Sequence, residues 1–476
     1  MPTTTYHPWI AGQGHPGGRP TEPVHNPWTG AVEAEAAVAT AEDLERAIAA
    51  AVTAFPAFRA TPPRQRREIL ERCARRLDAE RDGLARTIAL EVGKPITQAL
   101  GEVDRAVLTF SLAADAARAP EGEVLSLGFD PRYPAGVART RRVPLGPVAA
   151  IAPFNYPLNL VAHKVAPALA VGAPVVLKPA PQGPGAAFRL AEILAECGLP
   201  AGALSVLHLP VPLAESLATD PRLPVLTFTG SAAVGWHLRA RAATKRVLLE
   251  LGGNGATVVH EDWGHPGAVA AKVVGAAFAY AGQVCTKTQR LLVHAPIADE
   301  VREAVVAAAR ALPVGDPLRP ETVVGPVIDD KAAERISAWV VAAEAAGARA
   351  LLRGTREGRL LRPTVLDEVP VEAKVWSEEV FGPVLVLDTY DEWDEALAKV
   401  NASRYGLQAG VLTRDPRRIA RAFDELAVGA VIAGDVSTVR ADNFPFGGTK
   451  ASGNAREGVR YAMEELTEWR TLVTGT

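Results

Sequence analysis

The chain has 476 residues, 48% hydrophobic and 22% charged, with a formal net charge of -3. That length exceeds what one hydrophobic core organises, so two or three domains are expected, with an ordinary soluble globular balance. The charge gives no electrostatic reason for a nucleic acid or an anionic membrane as partner, and the most apolar stretches, 160–177 and 268–284, are broken by Lys164, Lys272, prolines or glycines and fall short of the roughly 18 clean apolar residues of a spanning helix.

Three cysteines, Cys73, Cys197 and Cys285, lie far apart. An odd count without a spacing pattern argues against a disulfide framework or a zinc site, so no metal is expected, and it suits a reducing, cytosolic compartment. The N-terminal MPTTTYHPWIAG lacks the basic segment followed by an apolar one that marks a secretory signal.

In chain order, the Pro-, Gly- and Thr-rich start reads as an extended lead-in with short strands. Helical spacing begins at 41–58, with Leu44, Ile48 and Val52 on one face and Thr40 and Asp43 placed to cap it. Pro62 and Pro63 break the chain. A long helix is expected over 64–92, closed by Gly93 and Pro95, with the Arg64 to Arg67 cluster on a solvated face; another follows over 96–117. The stretch 122–143 loses helical period, contains Pro131 and Pro134, ends in the alternating VARTRRV and reads as a β-ribbon. Then VAAIAP, APVVLKPA, ALSVLHL and VLTFTG alternate with helices, the pattern of parallel βαβ units. Ligands bind such sheets at the carboxyl ends of strands, where Lys178 and Thr229 to Ser231 fall. A second α/β unit begins at Leu251, with helices over 300–311 and 329–346 and buried strands VLVLDTY and GAVIAG. The tail MEELTEWRTLVTG reads as an exposed strand, an edge open to another subunit.

Residues 278–290, FAYAGQVCTKTQR, set Cys285 after Gly282-Gln283 at the end of an apolar run. Upstream lie Asn155 in PFNYP and Glu250 in ELGGN. A thiol, an amide and a carboxylate are what a cysteine nucleophile needs to attack an aldehyde, hold the oxyanion and activate water. Each residue alone has a plainer reading. A lone cysteine is usually a small buried apolar residue, an Asn before Pro157 is a turn residue, and Lys164 reads equally as a snorkelling surface lysine. A free thiol, with a pKa of about 8.5, also needs a lowered value or a nearby base to react at neutral pH. In TGSAAVG, Thr229, Gly230 and Ser231 end a strand and open a helix, whose N-terminus favours a pyrophosphate.

Together, PFNYP, Lys178 in LKPA, TGSAAVG, ELGGN, F-x-x-x-G-Q-x-C, EVFGP at 379–383 and FPFGGTKASG at 444–453 make the chain resemble the aldehyde dehydrogenase superfamily over most of its length. The resemblance implies an α/β protein: a Rossmann-like parallel-sheet cofactor domain over 1–121 and 144–250, a second α/β catalytic domain over 251–450, and a small β-arm for oligomerisation, 122–143 with the tail 455–476, pairing between subunits in a homodimer or homotetramer. It implies oxidation of a small-molecule aldehyde to a carboxylic acid with NAD or NADP. The nucleophile would be Cys285, passing through a thiohemiacetal and a thioester. Asn155, with the Cys285 backbone N–H, would form the oxyanion hole, Glu250 would activate water, and Lys164 would relay protons. In the cofactor site the resemblance places Lys178 and Glu379 on the two riboses, Thr229, Gly230 and Ser231 at the pyrophosphate and Phe381 beside the nicotinamide. Ile151, Phe154, Ala180, Pro181, Val234, Gly235, Leu251 and Gly252 complete that site. Tyr156, Leu160, His163, Val284 and Thr286 are expected at the aldehyde entrance.

The chain departs from the family's pattern at several positions. Asn254 replaces a common Lys. Leu209 to Pro212 replaces a glycine-rich turn. Pro181 stands where many NAD-preferring relatives have Glu, so NADP is expected to be accepted. Val284 replaces the Arg that precedes the nucleophile in relatives acting on phosphorylated aldehydes, which removes one anion contact. PLNLVAHK is similar to relatives that take lactaldehyde- or glyceraldehyde-like substrates. Two other readings remain. A coenzyme A-acylating enzyme typically lacks the carboxylate present at Glu250, and a non-catalytic dinucleotide-binding relative would not need Cys285 and Asn155.

Overall fold

Strands Val148–Ile151, Val175–Lys178 and Leu204–Val206 are apolar on both faces and almost wholly buried, as parallel strands covered by helices on both sides must be. In the computed structural model, which describes residues 4–117 and 122–475, they form the middle of a 7-stranded sheet. Its order is Arg246–Glu250, Val225–Thr229, Val148–Ile151, Val175–Lys178, Leu204–Val206, Trp9–Ile10, Gln13–Gly14. The first five run parallel, and the last two add antiparallel. A second 7-stranded sheet takes Arg349–Leu352, Thr364–Asp367, Val384–Tyr390, Thr288–His294, Gly255–Val259, Gln408–Leu412 and Ala430–Ala433, parallel except at its first pair. Among the described residues, no helix is long and apolar enough to cross a membrane. The boundary expected at residue 121 lies outside the described residues.

The Thr40–Asp43 capping box forms as read, opening helix Ala41–Ala60, although Val52 is exposed and Ala47 and Ala51 fill the buried face instead. The single helix expected over 64–92 is two, Pro63–Ala79 and Arg81–Val92. Glu80, at φ -104° and ψ 15°, breaks it, and its carboxylate is gripped by Arg189 and Arg76. Arg66 is not on the solvated face. It is buried and donates to the carbonyls of Ala170 and Thr61, tying helix Pro63–Ala79 to the end of helix Asn159–Val171. GAVIAG is a half-exposed edge strand.

Ribbon strands Val124–Ser126 and Val137–Pro144 form as expected. The tail is a short helix, Val459–Glu465, followed by strand Thr467–Thr474. That strand does not wait for another subunit. It pairs antiparallel along Val137–Pro144 of its own chain, from Thr467↔Pro144 to Thr474↔Val137.

A buried ion pair positions the loop between strand Val148–Ile151 and helix Asn159–Val171. Glu102 accepts the Leu158 and Asn159 N–H groups at 2.9 and 3.1 Å, satisfying donors that a helix N-terminus leaves free. Its other oxygen pairs with Lys94, also buried, whose ammonium lies 3.5 Å from the Tyr156 ring centroid. Glu102→Gln would leave a buried cation without its counter-ion. The expected loss is about 3–5 kcal/mol, measured by guanidinium unfolding at pH 7. A loss below about 1 kcal/mol would show that the pair does not hold this loop.

Candidate active site

The carboxyl ends of four parallel strands meet in one crevice. Register aligns Ile151 with Lys178, Ile151 with Phe228, and Thr229 with Glu250. From Glu250 the chain crosses to the second sheet in the short link 251–254. Cys285 lies across that link, half-buried in the turn between Ala279–Gly282 and strand Thr288–His294. The turn is fixed from several sides. The Gln283 side chain donates to the Tyr280 and Pro326 carbonyls and accepts from the Ile328 N–H. Lys287 donates to the Gly382 and Val384 carbonyls at 2.6 Å each, and Ser437 donates to the Thr286 carbonyl at 2.8 Å.

Asn155 comes to this turn from the other sheet. Its buried amide donates to the Gln283 carbonyl at 3.0 Å. A side-chain amide has two N–H groups, so one anchors the turn and the second remains for an oxyanion. The Cys285 thiol is not activated in this state. Burial pushes it up to about 12, with Arg440 the main opposing charge and the acids Glu379, Glu457 and Glu250 adding to the rise. Of the two routes expected from sequence, a lowered value or a nearby base, the surroundings of the thiol do not supply the first.

Glu250 is buried, and neither carboxylate oxygen has a hydrogen-bond partner. Burial, then the neighbouring Glu457, raises it well above the usual carboxylate range against Arg440 and Lys164. Beside it lies a cavity of ≈ 20 Å³, lined by Glu250, His163, Lys164, Thr227 and Glu457 among others, room for about one water. Lys164 is not a snorkelling surface lysine. It is buried, donates to Thr229 Oγ1 at 2.6 Å and Thr227 Oγ1 at 3.2 Å, and stands 3.8 Å from Glu457. Burial lowers it against the pull of Glu457.

The crevice fits a nicotinamide dinucleotide. Helix Ala232–Arg241 starts at the strand end with Ser231 as its N-cap, accepting from Val234 N–H, and Val234 is exposed there. Gly230 and Gly235 lie in the same turn, Gly235 tight against Leu251. Ile151 and Ala180 are buried under the strand ends. Lys178 Nζ donates to the neighbouring Pro179 carbonyl at 3.2 Å, and burial brings it down to about 8 against the pull of Glu22. Pro181 is exposed. No carboxylate occupies that position, but Glu22, bound to His208 at 2.8 Å, supplies one that Lys178 feels. At the other end Glu379 accepts the Gly253 N–H at 2.9 Å and is pushed up to about 7 by burial. The Phe381 ring, on a left-handed backbone at φ 47°, meets Phe154 edge-on at 5.9 Å.

The expected substrate residues divide. Tyr156 and Val284 are half-buried beside Cys285 and Leu160 is buried near them. His163 does not reach an entrance: its side chain is buried, bound to Asp442 at 2.8 Å, and lines the Glu250 cavity. Thr286 is buried too. Sequence reading missed Arg105, Arg440, Asp442 and Glu457. Arg105 binds Asp442 in bidentate fashion at 2.6 and 3.0 Å. Arg440 binds Glu457 at 2.6 Å, with its guanidinium 3.9 Å from the Phe446 ring centroid. Burial opposes ionisation of Glu457, but Arg440, His163 and Lys164 hold it down at about 2. The Arg105 guanidinium lies 5.6 Å from the Tyr156 ring centroid, and Arg440 is the main charge opposing burial at Cys285. Charges in V-R-A-D-N, just upstream of FPFGG, were the available signal for Arg440 and Asp442.

Parallel strand ends opening onto a helix N-terminus and facing a cysteine, an amide and an unpaired buried carboxyl fit a pyridine-nucleotide-dependent oxidoreductase. The chain belongs to the aldehyde dehydrogenase family, whose profile matches residues 15–472. It is 42% identical over 451 residues to a 3-sulfolactaldehyde dehydrogenase of Priestia aryabhattai, covering 94% of each chain. Its structure is similar to aldehyde dehydrogenase 21 of Physcomitrella patens bound to its product succinate, with a TM-score of 0.97 and 40% identity over 100% of this chain and 99% of that one. It is also similar to a glyceraldehyde-3-phosphate dehydrogenase of Methanocaldococcus jannaschii complexed with NADP, with a TM-score of 0.92 and 34% identity over 96% and 100% of the two chains. Oxidation of an aldehyde to an acid with NAD or NADP is its reaction.

With the thiol so high, the thiolate fraction rises about tenfold per pH unit through the neutral range. Alkylation of Cys285 by iodoacetamide in cofactor-free protein, followed by peptide mass spectrometry, is expected to be slow at pH 7 and to climb at that slope to pH 9. A plateau below pH 8 would mean a thiolate already formed.

Proposed function

We propose that the chain oxidises a short aldehyde whose far end carries an anionic group, a sulfonate or a second carboxylate. The observation that carries this reading is the arginine pair. Arg105 and Arg440 converge on Asp442 beside Tyr156 and Cys285, and neither spends all five N–H donors on it. Asp442 holds the Arg105 fork in one orientation, leaving Nη1 beyond the two donors it binds. Buried Arg440 Nε faces Asp442 Oδ1 at 3.7 Å without a hydrogen bond. Paired, oriented guanidinium groups favour planar or tetrahedral oxyanions. The relative named for 3-sulfolactaldehyde and the succinate held by the similar structure support the same chemistry. The arginine lost at Val284 is thus replaced from two other elements, and the reading moves away from a neutral lactaldehyde-like substrate.

Cys285 Sγ attacks the aldehyde carbon once its proton is removed, and the developing oxyanion is held by the second Asn155 N–H and the Cys285 backbone N–H. A bound oxidised nicotinamide would supply the hydride acceptor and a positive charge. The thioester left on Cys285 is then hydrolysed by water that Glu250 deprotonates. A carboxyl raised by burial is a stronger base once ionised, and the cavity with Lys164 and Glu457 gives the proton a route away from the thioester. Glu379, Phe381, Lys178 and the Thr229–Ser231 turn would hold the cofactor's two ends. The ribbon and tail strand, with Trp469, Leu472, Val473, Val124 and Leu125 exposed, support a homodimer or homotetramer built on this edge.

Arg105→Gln removes one charged hydrogen bond from the substrate, worth about 2 kcal/mol or about thirtyfold. The kcat/KM for 4-oxobutanoate is expected to fall by that factor while that for butanal stays within twofold. Equal losses for both aldehydes would place the arginine elsewhere in the mechanism.

Glu250→Gln is expected to release one equivalent of reduced cofactor in a burst and then stall. Normal steady-state turnover would assign water activation to another base.

A further inference from the structure

The cavity beside Glu250 has a second unsatisfied group in its wall. Helix Asn159–Val171 carries His163 and Lys164 at successive positions, and both line that cavity. His163 is 2% exposed, and its Nδ1 has no hydrogen-bond partner. Native interiors rarely leave such an edge unmatched.

The other edge of the ring fixes which nitrogen carries the proton. Nε2 faces Asp442 Oδ1 at 2.8 Å and Thr109 Oγ1 at 3.4 Å. Burial opposes ionisation of Asp442, but hydrogen bonds from His163 and Arg105 hold it well below the usual carboxylate range, so it accepts only. Thr109 donates to the Arg105 carbonyl at 2.9 Å. The Nε2 proton therefore points at Asp442. Burial, then Arg440, lowers His163 against Asp442 and Glu457, which keeps the ring neutral and makes Nδ1 an acceptor. Donors in the cavity wall are spent elsewhere. Lys164 gives two N–H groups to Thr229 and Thr227, and Arg456 donates to the Gly448 and Ala455 carbonyls. Both Glu250 oxygens are acceptors without a donor. One water in the ≈ 20 Å³ cavity has the two O–H groups that these acceptors need.

We propose that His163 is a positioning residue for thioester hydrolysis: its Nδ1 accepts one O–H of the cavity water and so aims the other at the Glu250 carboxylate. This rests on Glu250 as the base that activates water, and not on the anionic substrate. A hydrogen bond donated to the charged form favours that form, so the aimed water keeps Glu250 ionised where burial and Glu457 oppose it. The other charges around Glu250, namely Arg440, Lys164 and Arg456, act on it through space without a hydrogen bond.

The test compares His163→Gln and His163→Asn with the wild type. In His163→Gln the amide still reaches toward Asp442, but no acceptor stands where Nδ1 was. A burst of one equivalent of reduced cofactor is expected at a rate within twofold of the wild type. The kcat at pH 7 should fall about tenfold for 4-oxobutanoate and butanal alike, and the acid limb of the kcat–pH profile should move up by about one unit. His163→Asn puts its amide oxygen near the Nδ1 position and should return the acid limb toward the wild type. A purely structural role would damage both variants together, visible in their melting temperatures, and would leave the limb in place. An unmoved acid limb in His163→Gln, a slowed burst, equal behaviour of the two variants, or a loss confined to 4-oxobutanoate overturns the proposal. Normal turnover of Glu250→Gln is a separate result, which removes the base itself.

Discussion

The link 251–254 is the constraint on which the site depends. Strand Arg246–Glu250 ends the first sheet and Gly255–Val259 begins the second, so the base and the nucleophile's sheet are joined by one turn of chain. A Cβ on Gly252 would overlap the Glu379 carboxylate, and one on Gly253 would overlap the Cys285 carbonyl; only glycine allows both approaches. Asn254 then locks the exit, donating to the Trp376 carbonyl at 2.6 Å and accepting from Arg290 at 3.0 Å. The segment 446–457 seals the other side. Gly453 bridges to Glu250, Ser452 donates to the Gly252 carbonyl at 2.7 Å, and Asn454 binds the backbone of Leu249 and Val247. ELGGN and FPFGGTKASG are thus two sides of one backbone junction.

Burial at that junction pushes two acids apart. Glu250 and Glu457 share the same small cavity, yet Glu457 has Arg440 at 2.6 Å and Glu250 has no partner. Arg440 holds Glu457 down, while burial and then Glu457 push Glu250 up. Two titratable groups driven in opposite directions by their surroundings is the signature of assigned acid and base roles. Asp442 repeats the device one layer out, where hydrogen bonds from His163 and Arg105 outweigh burial and keep it charged. Arg105 and Arg440 are thereby held in place by anions that burial does not neutralise.

The sequence made the backbone junctions legible and the charge network illegible. Glycines, the cysteine turn and the strand ends mark themselves because each answers a local demand, such as a close approach or a helix start. Arg105 and Asp442 are 337 positions apart and meet only in the fold. Helix Ile96–Ala116 carries Arg105 with no period that separates it from an ordinary surface arginine. The same limit explains Arg66 and His163, whose partners, the Ala170 carbonyl and Asp442, are set by packing rather than spacing. It explains the helix break at Glu80 as well. The helical period continues across that residue, and what stops the helix is a tertiary grip by Arg189.

The two sheets face each other in opposite senses. The first presents the carboxyl ends of its strands to the crevice, as open α/β sheets do with ligands. The second presents amino ends: Cys285 precedes Thr288–His294, Gly253 precedes Gly255–Val259, and Glu379 and Phe381 precede Val384–Tyr390. Chemistry at amino ends needs reach rather than helix-dipole support, and long side chains and tight turns supply it here. The consequence is that the carboxyl ends of the second sheet, carrying His260, His294, Tyr390 and Thr413, are released from catalysis. In a fold whose first sheet uses that edge for binding, the corresponding edge of the second is given over to packing, with His260, His294, Tyr390 and Trp393 ring against ring and His260 Nδ1 held 3.3 Å from Asp262 Oδ1.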